Sequence, residues 1–292
     1  MTTRHIAAVL TVVALCACNP DQGFVSDPVG QIAVAAGDFD DIADPLDRVP
    51  VDYAQYQGII SIPTWDPEWD FSSSQGTVEG LLGESKEVFG YKTVFIASGV
   101  RGLGEREYNG LDPDDHLVSD DVVIQNVRDY VQNGDRTLVL SDWSYDLLEA
   151  AFPDAVEFLN EDGTYDAAQK GEIGSIVADV PDEVLANELG SETMAIEYNY
   201  SNWAVMESVG PDTVVHITGD ATYRTGAEVG DATADLTGVP MLISFQPRGA
   251  LGRVVYSSFH IDAQNPGAID TVLLVTVGDF KSAEPIFEQF EQ

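Results

Sequence analysis

The sequence predicts an α/β fold, a three-layer sandwich with a mostly parallel central sheet and a β-rich insertion near residues 154–238. Three observations lead there. Between residues 31 and 152, strand-length apolar runs alternate with segments of helical period, joined by short connections. That is the pattern of parallel strands linked by crossover helices that cover both faces of a sheet. From about 154 to 238 the alternation gives way to short period-2 runs with frequent Gly and Asp, which read as antiparallel strands. A chain of 292 residues is long enough to close one such domain around a sizeable core.

The first segment stands apart from that domain. Arg4 precedes an apolar run over residues 6–17, about a dozen residues and too short to cross a bilayer. The run ends in Leu15-Cys16-Ala17-Cys18, which resembles the lipobox of bacterial lipoproteins. The resemblance implies a signal peptide over residues 1–17, cleavage before Cys18 and acylation of that cysteine. Such a chain is anchored to a membrane of the cell envelope, and several acyl groups hold far better than one. By resemblance to lipoprotein sorting in double-membrane bacteria, Asn19 after the cysteine implies the outer membrane. Residues 18–30, polar with Pro20 and Gly23, read as a tether, and the folded domain is expected over 31–292.

Within the domain, residues 31–36 form an apolar run closed by Gly37, with the acidic stretch Asp38-Phe39-Asp40-Asp41 behind it. A buried strand, a tight turn and a short helix fit this order, with Pro45 limiting the helix. Residues 53–62 offer a second strand, broken near Gly58. Residues 92–97 are a third, followed by the loop Ser98-Gly99-Val100-Arg101-Gly102. Residues 120–133 place Val123, Val127, Tyr130 and Val131 at helical spacing, closed by Gly134. Residues 136–140 are a strand and 145–152 a helix stopped by Pro153. In the insertion, 173–180 and 194–200 alternate as strands. Residues 240–245 and 253–259 then form a hairpin, and 268–277 a last apolar helix.

Composition excludes several chemistries. The only cysteines are Cys16 and Cys18, so the domain has no disulfide, no thiolate zinc site and no cysteine nucleophile. The formal charge of −37 repels nucleic acid, which is therefore not an expected partner. The acidity is spread along the chain and reads as a solvated surface, with divalent-cation binding as the alternative. No cofactor is required by any motif, and no G-x-S-x-G, P-loop or H-E-x-x-H occurs.

Two segments could carry chemistry. Residues 140–148 (Leu-Ser-Asp-Trp-Ser-Tyr-Asp-Leu-Leu) run from a strand directly into a helix, and Ser258-Phe259-His260-Ile261-Asp262 ends the strand before the last helix. Together they resemble the class I glutamine amidotransferase-like superfamily, a flavodoxin-like fold. There, a strand-turn-helix of the form G-x-C-x-G-x-Q-L-L bears the nucleophile, and a later F-H-P-E supplies the base and its orienting acid. The resemblance implies a nucleophile position at Asp142, a base at His260, an orienting acid at Asp262, and an oxyanion loop at Gly99, Val100 and Arg101. It covers residues 31–62, 92–152 and 240–277. The departures are Asp142 in place of the cysteine and Leu140 and Ser144 in place of the flanking glycines. A carboxylate is a far weaker nucleophile than a thiolate, so cysteine amidotransferase chemistry is not expected. The expectation is a non-catalytic ligand-binding or structural protein of the envelope. One rival is a hydrolase using His260 with Asp142 and Asp262, with or without a metal.

Other candidates compete less well. Asp70, Ser72 and Ser74 match the D-x-S-x-S of metal-dependent adhesion modules, but poor strand material precedes them. Residues 112–116 read as an exposed acidic turn. His216 alternates with apolar residues and reads as a sheet histidine, and Trp65, Trp69, Trp143 and Trp203 read as core and rim.

Overall fold

The computed structural model describes residues 30–48, 51–58, 74–100, 103, 117–160, 168–200, 203–226 and 230–278. Its first half is built from β1 (Gly30–Ala36), α1 (Ala43–Asp47), β2 (Tyr53–Gln57), β3 (Gly76–Thr77), α2 (Val78–Leu82), β4 (Tyr91–Ile96), α3 (Asp121–Gln132), β5 (Thr137–Ser141) and α4 (Tyr145–Ala151). Its second half has β6 (Val156–Phe158), β7 (Lys170–Gly171), β8 (Gly174–Asp179), α5 (Glu183–Leu189), β9 (Thr193–Tyr198), β10 (Trp203–Ala204), β11 (Met206–Val209), β12 (Thr213–Arg224), β13 (Thr233–Phe245), β14 (Arg253–Ser257) and α6 (Pro266–Thr276).

The strands that carry the longest apolar runs lie at the centre. Neighbours run β3-β2-β1-β4-β5-β14, all parallel, and then β13 and β12 continue the sheet antiparallel. Leaving aside the two-residue β3, the parallel order is that of a flavodoxin-like doubly wound sheet. Every residue of β5 is buried, as expected of a strand covered on both faces. Helix α3 contacts α2 and α4 in one layer, and α6 contacts α1 and α5 in the other. The chain is thus a mixed α/β sandwich with a large, mostly parallel central sheet.

Local chemistry explains most boundaries. Asp120 caps α3 by accepting from Val122 N at 2.8 Å. Asn265 caps α6, with Pro266 at the first helical position, where its missing N–H is of no consequence. Strand β13 is longer than residues 240–245, reaching back to Thr233 through Pro240. At Pro240 the strand pairs with β12 alone, since β14 joins only from Leu242, and the register with β12 shifts there, between Ile217 and Thr218. The second half also holds a helix that its alternating pattern did not suggest. Helix α5 starts at the cap Asp182 and ends at Gly190 in the left-handed region, φ +68°. It joins the antiparallel pair β8–β9.

Candidate functional site

Winding reverses between β1 and β4, because β2 and β3 lie to one side of β1 and all later central strands to the other. In doubly wound sheets, that reversal opens a crevice at the carboxyl ends of the strands. Here the two loops that leave it are bound to each other, Asp38 N donating to Gly99 O at 3.3 Å and Phe39 N to Ser98 O at 3.2 Å. Gly37 permits the approach, since a Cβ there would sit 2.0 Å from Ser98 O. Gly99 turns the second loop at φ +79°.

The ends of β5 and β14 complete the site. Asp142 follows β5 at φ +41°, a left-handed conformation that costs a non-glycine residue about 1 kcal/mol and is best tolerated by Asp and Asn. This turn aims the side chain across the sheet edge. Asp142 Oδ2 lies 3.0 Å from His260 Nε2, and Ser98 Oγ donates to the same oxygen at 3.3 Å. Asp142 Oδ1 accepts from Ala204 N at 3.0 Å, and Tyr256 OH donates to the Asp142 carbonyl at 3.0 Å. Ser98 Oγ is also 3.2 Å from His260 Nε2. The group is closed from water, with Asp142 1% and His260 5% exposed.

The far side of the imidazole faces Asn199, whose Oδ1 is 3.0 Å from His260 Nδ1. Asp262 does not occupy that orienting position. Its Oδ2 accepts from Asp41 N at 3.2 Å, and it acts on the ring only through its charge. The reason is geometric, because the backbone at 261 and 262 is bound the other way. Ile261 N and Asp262 N both donate to Asp40 Oδ1, at 3.0 and 3.1 Å. Asp40 Oδ2 accepts from Ser141 Oγ at 2.7 Å, and Ser141 Oγ in turn accepts from Ser98 N at 3.0 Å.

The electrostatics follow from this packing. Burial pulls the His260 pKa down, but the hydrogen bond and charge of Asp142, with the charges of Asp40 and Asp262, outweigh it and hold it above 6.5. Both ring nitrogens face acceptor oxygens, which is the environment of an imidazolium. Burial raises the Asp40 carboxyl against the opposing pull of His260. Burial and then the neighbouring Asp40 charge push Asp262 up to about 6. Each of these three shifts favours the protonated form.

The remaining sequence candidates fall as follows. Val100 is buried beside Gly99, whereas Arg101 lies outside the described residues, as do Cys18, Asp70, Ser72 and His116. Ser74 donates to Gly76 O at 2.7 Å. Trp203 stacks on Tyr198 at 4.0 Å between ring centres and is buried, so it lines no open cleft. Among the described residues, no three His, Cys, Asp or Glu side chains are grouped to hold a metal ion. Asp40, Ser141, Asn199 and Ala204 belong to the site and were not singled out from the sequence. Asp40 was visible only as part of an acidic run. Asn199 and Ala204 arrive from the antiparallel half, for which no local pattern signals a role.

No protein-family model matches the sequence, and no curated protein matches it. Solved structures do share its chain path. A Thermoplasma acidophilum protein assigned to GMP synthase is similar over 84% of this chain and 90% of its own, at 10% identity and a TM-score of 0.45. A glutamine amidotransferase from Thermotoga maritima is similar over 85% and 82%, at 9% identity and a TM-score of 0.40. The glutaminase domain of Trypanosoma brucei CTPS, solved with bound acivicin, is similar over 86% and 95%, at 10% identity and a TM-score of 0.40. These are likenesses of chain path, and no residue role follows from them.

Proposed function

We propose that the protein is a cell-envelope lipoprotein, anchored through acylated Cys18, whose class I glutamine amidotransferase-like domain has exchanged catalysis for a structural ion pair. The outer membrane is the expected location. In this reading the exported domain presents a strongly acidic surface to a ligand or partner outside the membrane, and the old nucleophile position serves to hold the fold shut.

One observation carries the non-catalytic part. Both oxygens of Asp142 and both nitrogens of His260 are engaged within the protein, in a group almost closed to water. A general base needs a lone pair aimed at substrate, and a nucleophile needs an approach path. Neither is on offer here. What the ion pair can do is tie Ala204 and Asn199, from the antiparallel half, to the carboxyl edge of the parallel sheet. A hydrolase centred on His260 would need that contact to open first.

The test is an NMR pH titration of the histidines in the protein and in Asp142→Asn. There are only four histidines in the chain, so assignment is tractable. A His260 pKa above 6.5 in the parent, falling by about one unit or more in the variant, supports the pair. Identical titration in both would overturn it. A tautomer shift showing an unprotonated, solvent-linked nitrogen on His260 at pH 7 would restore the base.

A further inference from the structure

A second histidine array lies in the antiparallel part of the sheet. His216 sits on β12 in the irregularity between Val215 and Ile217, where the pairing with β13 slips. Such bulges turn a side chain out of the regular alternation and recur beside active sites. Its Nδ1 is 2.6 Å from Asp182 Oδ2, and its Nε2 is 2.7 Å from Ser244 Oγ on β13. Asp182 is fixed in turn as the cap of α5, its Oδ1 accepting from Val184 N at 2.9 Å and Leu185 N at 3.3 Å.

The proton positions follow from these contacts. Burial pushes the Asp182 carboxyl up, but the hydrogen bonds from His216, Leu185 and Val184 win and hold it below its usual range. An ionised carboxylate can only accept, so Nδ1 carries the proton of the neutral ring. Nε2 then presents its lone pair, and the Ser244 hydroxyl donates to it. A base so oriented is the arrangement that activates a serine. Ser244 is half-buried, so solvent reaches it. Its lateral neighbour Val214 is 52% exposed, and Val184 in the first turn of α5 is 63% exposed. The hydroxyl therefore borders apolar surface.

We propose that Ser244, His216 and Asp182 form an acyl-transfer site for esters of short apolar acids, separate from the Asp142–His260 cluster. Ser244 Oγ attacks the acyl carbon while its proton passes to His216 Nε2. The ester C–O bond breaks, and the leaving alcohol takes that proton. Water then attacks the acyl-serine, gives a proton to Nε2, and the acid leaves as Ser244 recovers its hydrogen. Ser244 and His216 are the catalytic residues, and Asp182 is a positioning residue. The strand restricts the substrate further. At Ser244, β13 is paired on both sides, with Val214 and with Val255, so its ladder offers no cradle for an oxyanion. A missing oxyanion donor costs roughly 10²–10³ in rate, which leaves aryl esters with good leaving groups within reach and amides out of it.

The experiment uses the full chain with a fluorophosphonate probe and p-nitrophenyl butyrate. Mass spectrometry should place the phosphonate adduct on the Ser244 peptide, and Ser244→Ala should lose both adduct and ester turnover. Asp182→Asn keeps a good helix cap, so the fold is retained, yet it should slow labelling by roughly 100-fold or more through loss of the ring tautomer. Asp182→Asn should also change the pH profile of labelling relative to the parent. An adduct elsewhere, no adduct on folded protein, or equal labelling and an unchanged pH profile in Asp182→Asn would each overturn the proposal.

Discussion

His260 and His216 are each bonded to an aspartate and a serine, yet their surroundings ask opposite things of the ring. At the parallel edge, His260 has Asp142 on Nε2 and the Asn199 oxygen on Nδ1, so both nitrogens meet acceptors. In the antiparallel half, His216 has Asp182 on Nδ1 but only a hydroxyl on Nε2, and a hydroxyl can donate. The first environment favours a charged ring locked as a strut, whereas the second leaves Nε2 facing a hydroxyl that can donate to it. Residue types are the same in both. The group on the second nitrogen decides the chemistry, and motif spacing does not report it.

The largest effect expected from breaking this contrast is at Asp142. Asp142→Ala leaves the His260 ring buried without its carboxylate and removes the partner of Ala204 N. Breaking one side of a buried pair costs about 3–5 kcal/mol, to be read as a lower urea midpoint with little change in slope. A loss below about 1 kcal/mol would mean that the pair is not what closes the site.

Next in size is the dependence of stability on pH. Asp262 is pushed up to about 6 from an unfolded value near 3.8, so between those values the folded chain keeps a proton that the unfolded chain has lost. Stability therefore falls as pH rises through that window. Asp40, also raised, acts in the same direction. His260, raised above 6.5, contributes stability that is complete below that value and is lost as pH climbs through its folded pKa. Asp182 works the other way, since its lowered pKa adds stability above about 3.8 that is lost in stronger acid. The maximum should fall near pH 4, below the usual range of pH 5–8. Each pKa unit is nominally about 1.4 kcal/mol, and screening of the half-buried Asp262 reduces its share to about 1 kcal/mol. The overall charge of −37 pushes in the same direction through self-repulsion. Repeating the melts in 1 M salt separates the two, because salt screens the surface and leaves most of the buried term. A stability maximum at pH 7 in high salt would break this account.

How legible these regions were differs in the same way. The parallel half reads directly, because strands buried on both faces are continuous apolar runs and their helices carry a clear period, as over 121–132. The contact of Asp142 with His260 was suggested by two short motifs joined by a resemblance, since 118 residues separate them and no periodicity links them. The place of Asp262 was misread for a definable reason. Spacing puts an acid two residues after the histidine, but Asp40, 221 residues away from Ile261, holds that backbone and turns the carboxyl aside. In the antiparallel half, α5 lay hidden among alternating residues, although Asp182 and Gly190 marked both of its ends. The bulge at His216 leaves no trace in composition at all.

The smallest effect tests that correction most sharply. If Asp262 oriented His260, Asp262→Asn would weaken the ring's binding and destabilise the protein at neutral pH. Here the carboxyl instead crowds Asp40, is raised by it, and hydrogen-bonds Asp41 N rather than the imidazole. An amide at this position still offers an oxygen to Asp41 N and removes a like charge from Asp40. Asp262→Asn should therefore raise stability at pH 8 by about 0.5–1 kcal/mol and leave it nearly unchanged at pH 4, where the parent carboxyl is already protonated. The His260 pKa should drop only slightly, through loss of one nearby charge. Thermal melts at the two pH values read the first effect and histidine NMR the second. A loss of stability at pH 8 together with a fall of about one unit or more in the His260 pKa would return Asp262 to the orienting role and leave Asn199 a bystander.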